Sequence, residues 1–170
     1  MKSVLVFYLL LLFIYTGCDK GIEALPEIPA EQKAGFSGTI TFTGEWPDSA
    51  KRTHLVVFEN PLLAAADFNI LNLKYISNEI PFGSTTFNFN STDSSIVSIK
   101  EGTYKYVAVA QSATPQVVLE RSAWYVIGVY YNEGDTTKPG TLVIPEKTLV
   151  KNININCDFN NLPPQPPGGE

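Results

Sequence analysis

The sequence predicts an all-β domain, a sandwich of about seven to nine short strands. Three observations predict it. Apolar and polar residues alternate with period two over much of residues 35–160, as half-buried strands require. Gly, Pro and Asn clusters separate these runs at short intervals. No long stretch repeats its apolar residues at helical spacing.

The elements follow in order. Phe36, Gly38, Ile40 and Phe42 alternate with Ser37, Thr39, Thr41 and Thr43. Thr53 to Glu59 is a β-branched, apolar run, ending before Asn60-Pro61. The stretch from Asn60 to Asp67 reads as loop or as one short helix near 60–67, with Asn60 as N-cap and Pro61 at the first helical position. Leu71, Leu73 and Tyr75 alternate again, as do Thr85, Phe87 and Phe89. Ser95 to Lys100 predicts a further strand. Thr103 to Gln111 and Ala123 to Tyr131 are apolar on both faces, the mark of central, covered strands. Leu142 to Ile144 is short, and Val150 to Phe159 closes the domain. Within that last run Ile153, Ile155, Cys157 and Phe159 share one face.

The N-terminus differs in kind. Lys2 precedes an unbroken apolar run, Val4 to Tyr15. A membrane-spanning helix needs about 20 apolar residues, so this shorter run suits the core of a signal peptide. It ends on Tyr15-Thr16-Gly17-Cys18. That sequence resembles the lipobox of bacterial lipoproteins, although Tyr15 stands where the family usually has Leu. The resemblance implies export, cleavage before Cys18 and a diacylglyceryl thioether on its sulfur. Two acyl chains give a stable anchor at about 0.8 kcal/mol per buried methylene. The chain then divides into a leader over 1–17, a flexible tether over 18–34, the β-domain over 35–160 and a Pro/Gly-rich, extended or disordered tail over 161–170. The implied location is the cell envelope, on the periplasmic face or the cell surface, with the outer membrane favoured over the inner.

Two stretches carry a second resemblance. One is Phe36-Ser37-Gly38-Thr39-Ile40-Thr41-Phe42 followed by His54-Leu55-Val56-Val57-Phe58; the other runs from Ile96 through Lys100-Glu101-Gly102-Thr103-Tyr104 to Val109. Together they resemble carboxypeptidase regulatory-like domains, with their strand, Glu-Gly-x-Tyr, strand element. The resemblance implies an immunoglobulin-like or prealbumin-like (transthyretin-like) sandwich in which Gly102 makes a tight turn and Tyr104 turns inward. The family is mainly structural and adhesive, and it supplies no catalytic residues.

Composition narrows function. The formal net charge is -5, with no basic cluster, whereas nucleic-acid binding needs a positive surface to displace counterions. That class is set aside, and attachment to a membrane falls to the anchor. His54 is the sole histidine, and lipidation of Cys18 leaves one thiol, Cys157. A hydrolase triad has a single candidate base and no nucleophile elbow, and zinc lacks ligands. Cys157 sits in a strict alternation, reads as a core thiol and has no local cation to activate it. Glu133 and Asp135 could offer oxygens to calcium, but the loop lacks the EF-hand spacing and reads as a solvated hairpin. The expectation is therefore no enzyme, no cofactor and no metal.

Aromatic residues form the better lead. Trp124, Tyr125, Tyr130 and Tyr131 lie on one predicted strand. Strict alternation sends Trp124 and Tyr130 to the face opposite Tyr125 and Tyr131. An exposed pair, extended by Trp46 from a Pro-containing loop, would make a ligand platform. Two functions are expected. The first is a non-catalytic binding or structural module for an envelope protein; the alternative is a module that binds carbohydrate, such as an envelope polysaccharide, or a small solute.

Overall fold

A computed structural model describes residues 32–169. Cys18, the leader and the tether up to residue 31 lie outside the described residues.

The architecture is all-β. Eleven strands are present among the described residues. They are β1 (Gly35–Thr43), β2 (Arg52–Phe58), β3 (Leu73–Ser77), β4 (Thr86–Asn90), β5 (Ser95–Val97), β6 (Gly102–Tyr104), β7 (Tyr106–Ser112), β8 (Trp124–Val129), β9 (Leu142–Ile144), β10 (Leu149–Val150) and β11 (Ile155–Asp158). Nine of them form one mixed sheet in the order β10-β1-β11-β8-β7-β2-β3-β5, with β4 on the other edge of β1. This sheet curls into a half-barrel, and β6 and β9 form a small second sheet. The expected helix near 60–67 is a single 3-10 turn at Ala65–Asp67. Asp67 organises it, its carboxylate accepting from the Leu63 and Ala64 amides at 2.8 Å each.

The strand count exceeds the expectation because two predicted strands are each divided. Thr103 to Gln111 breaks at Lys105, whose amide turns aside to the carbonyls of Phe58 and Glu59. As a result Tyr104 packs into the inner core and Tyr106 into the outer one. Val150 to Phe159 breaks at residues 151–154. Both of its parts pair with β1 in parallel, Val150 opposite Phe36 and Ile155 opposite Ile40. From Phe36 to Ile40 is a step of four residues, while Val150 to Ile155 is a step of five. The extra residue is a bulge. Asn152 takes a left-handed φ of 65° there, a conformation Asn tolerates. The bulged backbone crosses so close to Gly38 that a Cβ would lie 2.1 Å from the Ile153 carbonyl oxygen. Glycine is the residue that leaves this space.

Two cores result. The inner one fills the curl with Phe36, Ile40, Leu55, Val57, Tyr75, Phe89, Val107, Ile127, Ile155 and Cys157. Phe36 makes edge contacts with Tyr75 and Phe89, at 5.3 and 5.4 Å between ring centres. Each such side chain contributes about 1.5–3 kcal/mol when fully buried. The outer core lies on the convex face around Phe58, Leu73, Ile76, Ala108 and Val126. Leu62 and Phe68 from the 60–72 loop cover part of it. Tyr104 is buried and donates its hydroxyl to the Lys100 carbonyl at 2.9 Å, tying down the turn at Gly102.

The tail is extended and held. Residues 163–169 follow β8, where Gln165 bonds Val126 and the Pro166 carbonyl accepts from Arg121 Nη2 at 2.8 Å. Pro166 and Gly169 are buried there.

Candidate binding site

The site forms where β1 ends and β2 begins. Gly44 turns the chain with a φ of 83°, and the loop to β2 carries Glu45, Trp46 and Pro47. Trp46 fixes this loop. Its ring lies 4.8 Å from Phe42, 5.3 Å from Phe159 and 5.4 Å from Phe82, centre to centre. Its indole N–H donates to the Ser84 carbonyl at 3.0 Å. The Lys51 amide then reaches Ser112 at the end of β7, joining the loop to the sheet.

Between this loop, the end of β7 and the first half of β8 lies a concave groove of about 280 Å³. Gln111 and Ile127 belong to its sheet side, Pro47 to the loop, and Tyr125, Phe159 and Leu162 to its apolar walls. Gln111 and Tyr125 are direct cross-strand neighbours on β7 and β8. Their exposures differ sharply: 4% for Gln111 and 51% for Tyr125. Within the protein, Gln111 Nε2 has no hydrogen-bond partner among the described residues. Glu45 is the one charged residue on the lining.

The five aromatics expected to form a platform are divided. Tyr125 opens on the groove, and Trp46 stands behind it through Phe159. Trp124 is buried on the convex side, its indole N–H donating to the Val118 carbonyl at 2.7 Å. Tyr130 packs against the inner core and Tyr131 against the outer one, both half-buried. The facing predicted by strict alternation is therefore corrected: Trp124 shares its side with Tyr131, and Tyr125 shares its side with Tyr130. The cause is a register shift. Gly128 opposes Val109 and Val126 opposes Ala110, which leaves Ile127 as an unpaired extra residue and reverses the phase beyond it.

The other candidates lie elsewhere. His54 is fully buried on the convex side, 6.1 Å from the Trp124 ring. Its Nδ1 donates to the Ser77 carbonyl at 3.0 Å, and burial lowers its pKa below 6.5. The ring is thus a neutral core group. Cys157 is also fully buried, and burial pushes its thiol up to about 12. Asp135 is engaged locally: Oδ1 accepts from the Thr137 hydroxyl and amide, which hold its pKa below the usual value, and Oδ2 lies 3.7 Å from Lys138 Nζ. Among the described residues no three acidic, His or Cys side chains gather as metal ligands.

Gln111, Glu45, Phe159 and Leu162 were not legible as site residues. Gln111 left one trace, a long polar side chain closing the apolar run Val107-Ala108-Val109-Ala110. Compared with protein-family models, with curated proteins and with solved structures, the chain matches none.

Proposed function

We propose that this chain is a non-catalytic binding module of the cell envelope, lipid-anchored through Cys18, and that it binds at the Tyr125 groove. The prealbumin-like family reading and the envelope location belong to the same proposal. One observation carries it. The tether joins the domain at Gly35, the first residue of β1, while Phe159 of the groove bonds Thr43, the last residue of β1. At about 3.3 Å per residue, β1 places the groove roughly 26 Å from Gly35. A ligand site at the end of β1 opposite the chain's entry at Gly35 suits presentation by a tethered domain.

The non-catalytic reading rests on where the reactive groups sit. His54 is enclosed on the convex side, and the Cys157 thiol stays protonated. Neither lines the groove. The carbohydrate or small-solute alternative is favoured by the half-exposed Tyr125 standing beside a concave site rather than on a flat face.

Site-specific photo-crosslinking tests the proposal. The full chain is expressed in a bacterial host with a diazirine residue at position 113, exposed on the groove lining, or at position 143 on the exposed side of β9 as a control. Adducts with envelope material at 113 and not at 143 support the reading. Equal labelling at both, or none at 113, sinks it.

A further inference from the structure

We infer that the 60–72 loop docks on the surface of the bilayer that holds the lipid anchor, an inference that rests on the lipid-anchored reading. The loop's chemistry, rigidity and position, and the reach of the chain before it, point to this partner.

Chemistry comes first. The stretch from Asn60 to Asn72 holds one charged residue, Asp67. Leu62 and Phe68 pack on the outer core, whereas Leu63, Ile70 and Leu71 are 77%, 60% and 80% exposed. Ala64, Ala65 and Ala66 are exposed as well. Scattered exposed aliphatics are ordinary, but several on one short loop make a patch. Protein–protein hot spots favour Trp, Tyr and Arg over Leu. A patch of aliphatic side chains alone suits lipid acyl chains instead.

The loop is also fixed from within. The Asp67 carboxylate accepts from the Leu63 and Ala64 amides, and Asn69 Oδ1 accepts from those of Leu71 and Asn72 at 3.0 Å each. Asn72 Nδ2 donates to the Asp67 carbonyl at 2.9 Å. The backbone that carries Leu63, Ile70 and Leu71 is thus ordered before any partner arrives, and docking has little chain left to order.

Position follows from strand direction. β11 runs parallel to β1, β8 antiparallel to β11, β7 antiparallel to β8 and β2 antiparallel to β7. β2 therefore ends, and the antiparallel β3 begins, at the rim of the sheet where Gly35 starts β1. The Glu59 amide donates to the Asn72 carbonyl at 2.9 Å and closes the loop at that rim. The chain from the anchor enters the domain at the same rim.

Reach completes the case. The 17 residues from Cys18 to Ala34 span at most about 60 Å even fully extended. A lipidated Cys18 keeps Gly35 within that distance of the bilayer, so docking becomes an intramolecular event at high effective concentration. Seated by this rim, the domain leaves the Tyr125 groove, beside the far end of β1, clear of the surface.

The test places the full chain, purified from a bacterial host, in phosphatidylethanolamine–phosphatidylglycerol vesicles whose acyl chains carry a doxyl quencher. Ala66→Cys takes an environment-sensitive dye in the loop, and Ser49→Cys takes it at the opposite rim; both positions are exposed. Cys157 is buried and does not compete for the dye. Quenching at 66 and not at 49 is expected. Leu63→Ser, Ile70→Ser and Leu71→Ser together should abolish it, and because all three side chains are exposed the fold survives. Equal quenching at both positions, none at 66, or quenching that persists in the triple variant overturns the inference. So does a dye at 66 shielded from a water-soluble quencher yet untouched by the doxyl lipid, which would mark a protein partner or a second copy. Fatty-acid labelling of the same preparation separates the two levels. A lipidated chain without quenching at 66 sinks the docking alone; a chain without lipid sinks the anchor and the docking together.

Discussion

The side-chain amide of Gln165 makes both backbone hydrogen bonds of Val126. Oε1 accepts from the Val126 N–H at 2.9 Å, and Nε2 donates to the Val126 carbonyl at 2.8 Å. β11 pairs β8 at Gly128 only, so the start of β8 lacks a strand on that side. Gln165 supplies the two groups a neighbouring strand would have offered, and the tail becomes part of the fold.

Gln165→Ala removes both bonds from a buried backbone position. We expect a loss of about 2 kcal/mol in denaturant unfolding. Amide exchange at Val126 should accelerate far more than at Val109 in the centre of β7. Unchanged exchange at Val126 would show that the tail is not what protects it.

Gly38→Ala forces a Cβ against backbone, not against a flexible side chain. The bulge at 151–154 must move or β1 must shift. A cost of about 3 kcal/mol follows from overpacking at a site with no slack. Chemical denaturation measures it, and a loss under about 0.5 kcal/mol would place the effect among ordinary surface changes.

His54 makes stability depend on pH. In the unfolded chain it takes up a proton near 6.5, whereas burial lowers its pKa in the folded state. The unfolded state therefore binds more protons below pH 6.5. The stabilisation is complete above the unfolded value and is lost as pH falls toward the folded one, by at most about 1.4 kcal/mol per pH unit. The difference in unfolding free energy between the wild type and His54→Gln, measured from about pH 7 to pH 5, should shrink as pH falls. A constant difference would mean that the ring does not titrate on unfolding.

The two cysteines should behave oppositely. Metabolic labelling with an alkynyl fatty acid should mark the wild type and leave Cys18→Ala unmarked. In that variant Cys157 is the remaining thiol, and burial raises its pKa to about 12. A water-soluble disulfide reagent at mildly alkaline pH should not touch the folded protein and should react once per chain after unfolding. Rapid reaction of the folded protein would show that β11 opens readily. Fatty-acid label on Cys18→Ala would remove the anchor from the proposal.

Local order was open to reading because period-two alternation is a property of neighbouring residues. Phe36, Ile40 and Phe42 lie on the inner side as their spacing predicts, and Ile153, Ile155 and Cys157 do the same. The exported, lipid-anchored leader is likewise a linear signal, read from Lys2, the apolar run and Thr16-Gly17-Cys18, and it stands as a proposal. Other features depend on partners distant in the chain. The bulge beside Gly38 exists because β1 and the 149–158 stretch pair with unequal steps. The facing of Tyr130 and Tyr131 reverses because β7 and β8 slip by one residue.

From its residues alone, this sequence determined an all-β domain, the run of its strands and a core built on alternating faces, since each follows from short-range periodicity and turn chemistry. Tertiary structure alone decided that Trp124 is enclosed and Tyr125 open, that Gln111 lines a groove while its Nε2 is enclosed with no partner among the described residues, and that Gln165 completes β8. The physical reason is that exposure and hydrogen-bond satisfaction are set by what packs opposite a residue, and in a sheet joined by β1 and β11 those partners come from opposite ends of the chain.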